Sequence, residues 1–225
     1  MEVKITPGPL RGAITPPPSK SQAHRLIIAA ALAAGESHIS NVALSQDIAA
    51  TLNCMRALGA WASGDGSVIR GMGGAGRSHE ALPVLDCGES GSTLRFLIPV
   101  ALAVAGGGIF RGRGRLMERP QGPYEQLFSR RGICFVREDG ALRVEGALAG
   151  GRYELPGNVS SQFITGLLYA LPLLEGDSEI VLTTPLESEG YVNMTLDALA
   201  RFGVRADRRE QGWHVPGGQT YVPRD

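Results

Sequence analysis

Apolar positions along the chain fall into a repeating order of nearly featureless runs and one-sided ones. Three runs are apolar on almost every position, and each opens on hydroxyl residues. The first begins at Ser19-Lys20-Ser21 and passes through Leu26-Ile27-Ile28 to Gly35. The second begins at Ser90-Gly91-Ser92 and passes through Leu97-Ile98 to Gly106. The third begins at Ser160-Ser161-Gln162 and passes through Leu167-Leu168 to Gly176. The closing glycines are 71 and 70 residues apart. A helix without a polar face is buried on all sides, so these three segments predict three core helices.

Each run is followed by a short strand, an amphipathic helix and a two-stranded hairpin. In the first copy the strand is expected around His38-Ile39-Ser40. The helix is expected from about Asp47 to Leu58, where Ile48, Leu52, Met55 and Leu58 keep helical spacing and Gly59 supplies a stop. The third copy repeats it with Val192, Thr195, Leu196, Leu199 and Phe202 before Gly203. Leu58-Gly59-Ala60, Arg131-Gly132-Ile133 and Phe202-Gly203-Val204 are separated by 73 and 71 residues.

Asp65-Gly66 and Asp139-Gly140 are two-residue hairpin signals, and Gln211-Gly212 is a weaker third. Pro99 and Pro172 fall inside the second and third apolar runs, where each kinks or ends a helix. Charge sits on the second helices and the hairpins. The pattern therefore predicts one α/β domain of three similar units, with helices inside and sheets toward water, against the alternative of an ordinary α/β layer fold.

Composition narrows the function classes. The 225 residues carry 22 basic and 22 acidic side chains with no basic run longer than a pair, which disfavours a nucleic-acid or anionic-membrane partner. The apolar windows fall short of the ~18 residues that suggest a membrane span. Met1-Glu2-Val3-Lys4 leads into a Pro/Gly segment, without the apolar run of a signal peptide. Cys54, Cys87 and Cys134 have no paired spacing and read as reduced thiols of a cytoplasmic protein. His24, His38, His79 and His214 are scattered, so no metal is expected.

The chemistry expected of such a chain is anion binding. A helix start leaves backbone N–H groups unpaired beside a partial positive charge, and three equivalent starts brought together make an anion site. Lys20 and Arg25 in the first copy, and Arg95 and Arg119 in the second, add fixed charge, and guanidinium groups bind phosphate or carboxylate bidentately. Simple N-capping is the alternative for the serines, although Gln162 adds donor and acceptor groups that a cap does not need. For Arg25 and Arg95 the alternative is a snorkelling or salt-bridged side chain. Glu118-Arg119-Pro120 is expected to open the second helix of its copy, with Pro120 in the first turn. Asp47, in the corresponding place, reads as a cap rather than a base. Tyr191 reads equally as packing or as the cover of a ring-shaped ligand.

Lys20-Ser21-Gln22-Ala23-His24-Arg25, Glu89-Ser90-Gly91-Ser92-Thr93-Leu94-Arg95, Glu118-Arg119-Pro120, Ser160-Ser161-Gln162 and Ser188 to Tyr191 occur in an order that resembles the EPSP synthases, the 3-phosphoshikimate 1-carboxyvinyltransferases. The resemblance implies an inverse α/β barrel-like domain of three βαβαββ repeats around a pseudo-threefold axis, here at about 13–80, 81–150 and 151–220 of a 1–225 N-terminal domain. It implies transfer of a carboxyvinyl group from phosphoenolpyruvate to the 5-hydroxyl of shikimate 3-phosphate, in aromatic amino acid biosynthesis, with no metal or organic cofactor.

By the same resemblance, Ser160, Ser161 and Ser188 hold the shikimate phosphate. Ser21, Arg25 and Gln162 fix its ring and carboxylate, beside Tyr191. Lys20, Gly91, Arg119 and Gln162 bind phosphoenolpyruvate, Lys20 also serves shikimate 3-phosphate, and Lys20 and Arg119 are the catalytic pair. Glu89 stands where many members have asparagine, a carboxylate near the phosphoenolpyruvate pocket. Members are about twice this length. The resemblance thus implies a partner C-terminal domain that supplies the acidic general base and pairs with a first strand at about Val3 to Ile5. The expectation is a half-enzyme that binds substrate without turnover. A UDP-N-acetylglucosamine carboxyvinyltransferase-like enzyme and a non-catalytic binding or assembly module are the other readings.

Overall fold

The computed structural model describes residues 3–4, 7–9, 11–74 and 81–225. The three apolar runs form α1 (Lys20–Leu32), α3 (Gly91–Ala105) and α5 (Ser161–Ala170). All three are buried over most of their length, because no face of them is polar enough to meet water. The second helices are α2 (Gln46–Ala57), α4 (Gly122–Ser129) and α6 (Glu189–Arg201), each burying only one side.

The strands lie outside. β1 (Glu36–His38), β2 (Trp61–Ala62) and β3 (Val68–Arg70) form the first sheet. The second holds β4 (Val84–Asp86), β5 (Gly107–Arg111), β6 (Cys134–Glu138) and β7 (Ala141–Glu145). The third holds β8 (Gly151–Leu155), β9 (Ser178–Leu182), β10 (Asp207–Arg209) and β11 (Gly212–Val215). The second and third sheets share one plan, β4-β5-β7-β6 and β8-β9-β11-β10, with a parallel first pair and antiparallel pairs after it. The first sheet, β1-β3-β2, keeps the antiparallel part alone. Val3 and Lys4 are exposed and irregular rather than strand, and Ile5 lies outside the described residues.

Three hydrogen-bonded bridges tie the units into a ring, one from each second helix. Thr51 of α2 bonds His24 of α1 at 2.8 Å and Thr93 of α3 at 2.7 Å. Tyr124 of α4 donates to Arg95 O of α3 at 3.0 Å and to Phe163 O of α5 at 2.9 Å. Thr195 of α6 bonds Thr165 of α5 at 2.9 Å and accepts from Arg25 Nε of α1 at 2.9 Å. Positions 51, 124 and 195 are 73 and 71 residues apart, the spacing of the glycine stops. Each bridge joins a core helix to the next, and the third returns to the first. This cyclic closure is the pseudo-threefold fold expected.

Local details shift. The first strand precedes Ile39 instead of being centred on it. Pro172 does end its helix, in a 3-10 turn over Leu171–Leu173, whereas Pro99 stays inside α3. The carbonyl that Pro99 leaves without its helical donor is that of Arg95, the one Tyr124 reaches. α3 and α5 approach closely there: a Cβ on Gly166 would stand 2.6 Å from Arg95 O. At the Asp139-Gly140 turn both residues have positive φ, 50° and 71°, as a two-residue type I′ hairpin requires.

Candidate functional site

The core-helix starts converge. Ser19, Ser90 and Ser160 cap the three helices, each hydroxyl accepting a backbone N–H of the first turn. Two positions past each cap stand Ser21, Ser92 and Gln162, and all three line one open cavity of about 460 Å³. The hydroxyl triplets are therefore divided in labour: their first member caps, and their third faces the cavity. Arg25, Arg95, Phe96, Arg119, Val159, Ser160, Ser161, Ser188 and Tyr191 complete the wall.

Its electrostatics are one-sided. Among the described residues, no acidic one lines the cavity. None of the ion pairs among the described residues involves Arg25, Arg95 or Arg119. Burial lowers the Arg25 and Arg95 guanidinium pKa values, but an arginine stays charged at neutral pH. Three uncompensated cations beside three helix starts make a cavity that selects a multiply charged anion.

Arg25 is 3% exposed and already committed in three directions. Nε reaches Thr195 Oγ1 at 2.9 Å, Nη1 reaches Ser21 O at 2.8 Å, and Nη2 reaches Tyr191 O at 2.9 Å. Two of its five N–H groups remain for a ligand. Arg95 holds Gln162 Oε1 at 2.8 Å and Pro120 O at 3.0 Å, and Gln162 Nε2 donates to Ser92 at 3.0 Å. That chain fixes which way the Gln162 amide faces. Arg25 and Arg95 are not equivalent positions: they are the sixth and fifth residues of their helices. Arg119 is exposed, and its Nη1 lies 2.8 Å from where a Cβ on Gly91 would stand, so any side chain there displaces the guanidinium.

Several expectations need correction. Lys20 does not line the cavity; its Nζ pairs with Asp47 Oδ2 at 2.6 Å. Asp47 is accordingly neither cap nor free base, and Ser45 caps α2. The helix after Glu118-Arg119-Pro120 starts at Gly122 with Pro123 in its first turn, while Glu118 ends a 3-10 turn, Leu116–Glu118. Glu89 points away, toward Gly114, in a separate cleft with Asp86 and Arg113. Ser188, at the start of α6, has φ 59° and makes no capping bond, so its hydroxyl is free. Tyr191 serves both uses weighed for it: its carbonyl holds Arg25, and its half-exposed ring lines the cavity.

Ser92, Phe96 and Val159 also line the wall, and the 71-residue step from Ser21 to Ser92 is the signal that could have found the first; Arg95, expected to add fixed charge to the site, lines it too. Cys54, Cys87 and Cys134 are free thiols, and a hydrogen bond with Cys54 together with burial pushes Cys87 above the usual thiol range. Among the described residues, no group of three or more potential ligands could hold a metal, and no helix is long and apolar enough to cross a membrane.

Comparison with known proteins agrees with this geometry. The family described as EPSP synthase (3-phosphoshikimate 1-carboxyvinyltransferase) matches residues 5–224. A 3-phosphoshikimate 1-carboxyvinyltransferase of Clostridium botulinum is 44% identical over 229 residues, covering 99% of this chain and 53% of that protein. One from Clostridium perfringens is 45% identical over 227 residues, with the same coverage. Among solved structures, an EPSP synthase from Acinetobacter baumannii superposes with a TM-score of 0.78 at 27% identity, over 95% of this chain and 49% of that one. The enolpyruvyl transferase NikO from Streptomyces tendae, at TM-score 0.65 and 16% identity, shares the fold. The chain spans about half the length of the curated relatives it matches.

Proposed function

The chain belongs to the EPSP synthase family, and on that premise we propose that its cavity binds shikimate 3-phosphate. In this reading it is the substrate-holding half of the transfer of a carboxyvinyl group from phosphoenolpyruvate to the 5-hydroxyl of that substrate. The observation that carries it is a cavity lined, among the described residues, by three arginines and no carboxylate, and ringed by three helix starts. A phosphate and a carboxylate on one small ring match that charge.

Ser160, Ser161 and Ser188 take the phosphate, with hydroxyls on two neighbouring helix starts. Ser21, Gln162 and the two unoccupied N–H groups of Arg25 take the ring and its carboxylate, beside Tyr191. Phosphoenolpyruvate sits between Arg119, Gln162 and the Gly91 backbone. Lys20 joins it by leaving Asp47, an exchange that costs little, because an ion pair this exposed is worth about 0–1 kcal/mol. Once transferred, Lys20 and Arg119 stabilise the charge that develops as phosphate departs.

Among the described residues, no carboxylate lines the cavity to take up the proton of the attacking hydroxyl. The chain alone therefore binds without turning over, and the acidic base comes from the part of the family's length outside this sequence. Calorimetric titration with shikimate 3-phosphate tests the reading. Binding is expected for the wild type, weakened in Ser161→Ala and in Arg25→Ala. Absence of any binding at millimolar ligand, or stronger binding of UDP-N-acetylglucosamine, overturns it. Phosphate release at ordinary enzyme rates by this chain alone overturns the claim that turnover needs a second part.

A further inference from the structure

Phe96 and Val159 are the two wall residues to which the proposed chemistry gives no role. Phe96 is 1% exposed yet lines the cavity, and it holds on α3 the sixth helical position that Arg25 holds on α1. Its ring centroid is 5.2 Å from the Arg25 guanidinium carbon, and the Tyr191 ring is 5.9 Å from the same atom. The His24 imidazole and the Phe96 ring are perpendicular, with centroids 6.4 Å apart and an interplanar angle of 88°.

The three acceptors on Arg25 are a helix carbonyl, a second carbonyl and a hydroxyl, all of them neutral. Hydrogen bonds of a planar fork fix its position in its own plane. Bonds to neutral acceptors resist rocking of that plane less strongly than a charged partner would, and none of the ion pairs among the described residues anchors it. An aromatic face supplies that missing restraint, because the ring quadrupole attracts a cation that has lost its water. Leucine or methionine at position 96 would fill similar space without offering that face.

We propose that Phe96 is a positioning residue for the anion site. Its ring holds the tilt of the Arg25 guanidinium so that the two unoccupied N–H groups point at the bound anion. The affinity part of this proposal rests on the shikimate 3-phosphate reading; the positioning part does not.

The test uses the whole chain carrying Phe96→Leu, with Phe96→Met as a second variant should the first fail to fold, and Phe96→Tyr as the conservative replacement. The Arg25 Nε–H resonance is read first, without ligand. Loss of the ring current is expected to move it downfield in Phe96→Leu, and hydrogen exchange at that site accelerates, while Phe96→Tyr keeps the wild-type signal. Affinity for shikimate 3-phosphate is then expected to fall about tenfold in Phe96→Leu and to be retained in Phe96→Tyr. An unchanged Arg25 exchange rate in the leucine variant, whatever the ring-current shift, overturns the proposal, as does equal loss of affinity in leucine and tyrosine variants. A wild-type chain that binds no shikimate 3-phosphate refutes the proposed function instead, and the ligand-free hydrogen-exchange rate still decides whether Phe96 positions Arg25.

Discussion

Replacing Tyr124 by phenylalanine removes a single oxygen from the centre of the molecule. The ring is fully buried, stacked on Phe128 at 5.1 Å and edge-on to Phe163 at 4.8 Å, so no apolar volume is lost. What is lost is the hydroxyl shared between Arg95 O and Phe163 O. Burial raises the Tyr124 pKa, so that hydroxyl is a permanent donor. The Arg95 carbonyl has no substitute, because the residue that would donate to it within α3 is Pro99. Leaving a buried carbonyl unpaired costs about 1–3 kcal/mol. At this chain length, a loss of ~2 kcal/mol lowers Tm by roughly 4–8 °C.

Urea unfolding of Tyr124→Phe is expected to give that loss with an unchanged m value. The cause is isolated by repeating the substitution in a Pro99→Ala background, where residue 99 regains its N–H. There the cost should shrink, and the difference is the coupling between the two sites. A loss below ~0.5 kcal/mol, within the range of an ordinary surface change, would refute the argument. Equal losses in both backgrounds would show that Pro99 is not what makes Tyr124 necessary.

Acid stability should carry the signature of His24. Burial is the main cause lowering its pKa to about 4 from 6.5; Asp47 opposes the shift, and Lys20 and Arg25 add to it. Between those values the unfolded chain binds the extra proton, so stability is complete above about pH 6.5 and falls by about 3 kcal/mol as pH drops toward 4. Denaturant midpoints across that range should show a flatter acid limb in His24→Asn, and parallel limbs would contradict the assignment. Gly91→Ala should leave stability within ~0.5 kcal/mol of wild type, because the added methyl meets only the movable end of Arg119. A crystal structure of that variant with the Arg119 guanidinium undisplaced would count against the steric account of Gly91.

The features legible in the sequence are those set by neighbours a few residues away. Three apolar runs with hydroxyl caps, glycine stops and two-residue turns specify helices and hairpins, because capping, stop signals and positive φ are local matters. Their even spacing announced the threefold repeat, and one-sided second helices against all-apolar first helices announced that the helices lie inside. The order of motifs was enough to identify the family. Direction and partnership were not legible. Arg25 and Arg95 look alike in sequence, but one residue of offset turns a side chain by about 100° around its helix. Arg25 accordingly meets Phe96 and Tyr191, while Arg95 lies over Phe163 and orients Gln162. Nothing local could pair Lys20 with Asp47 across 27 residues, turn Glu89 away from the cavity, or set Phe96 beneath a guanidinium from another repeat. Those contacts depend on how three core helices pack together, and each of them changes what the anion site presents to its ligand.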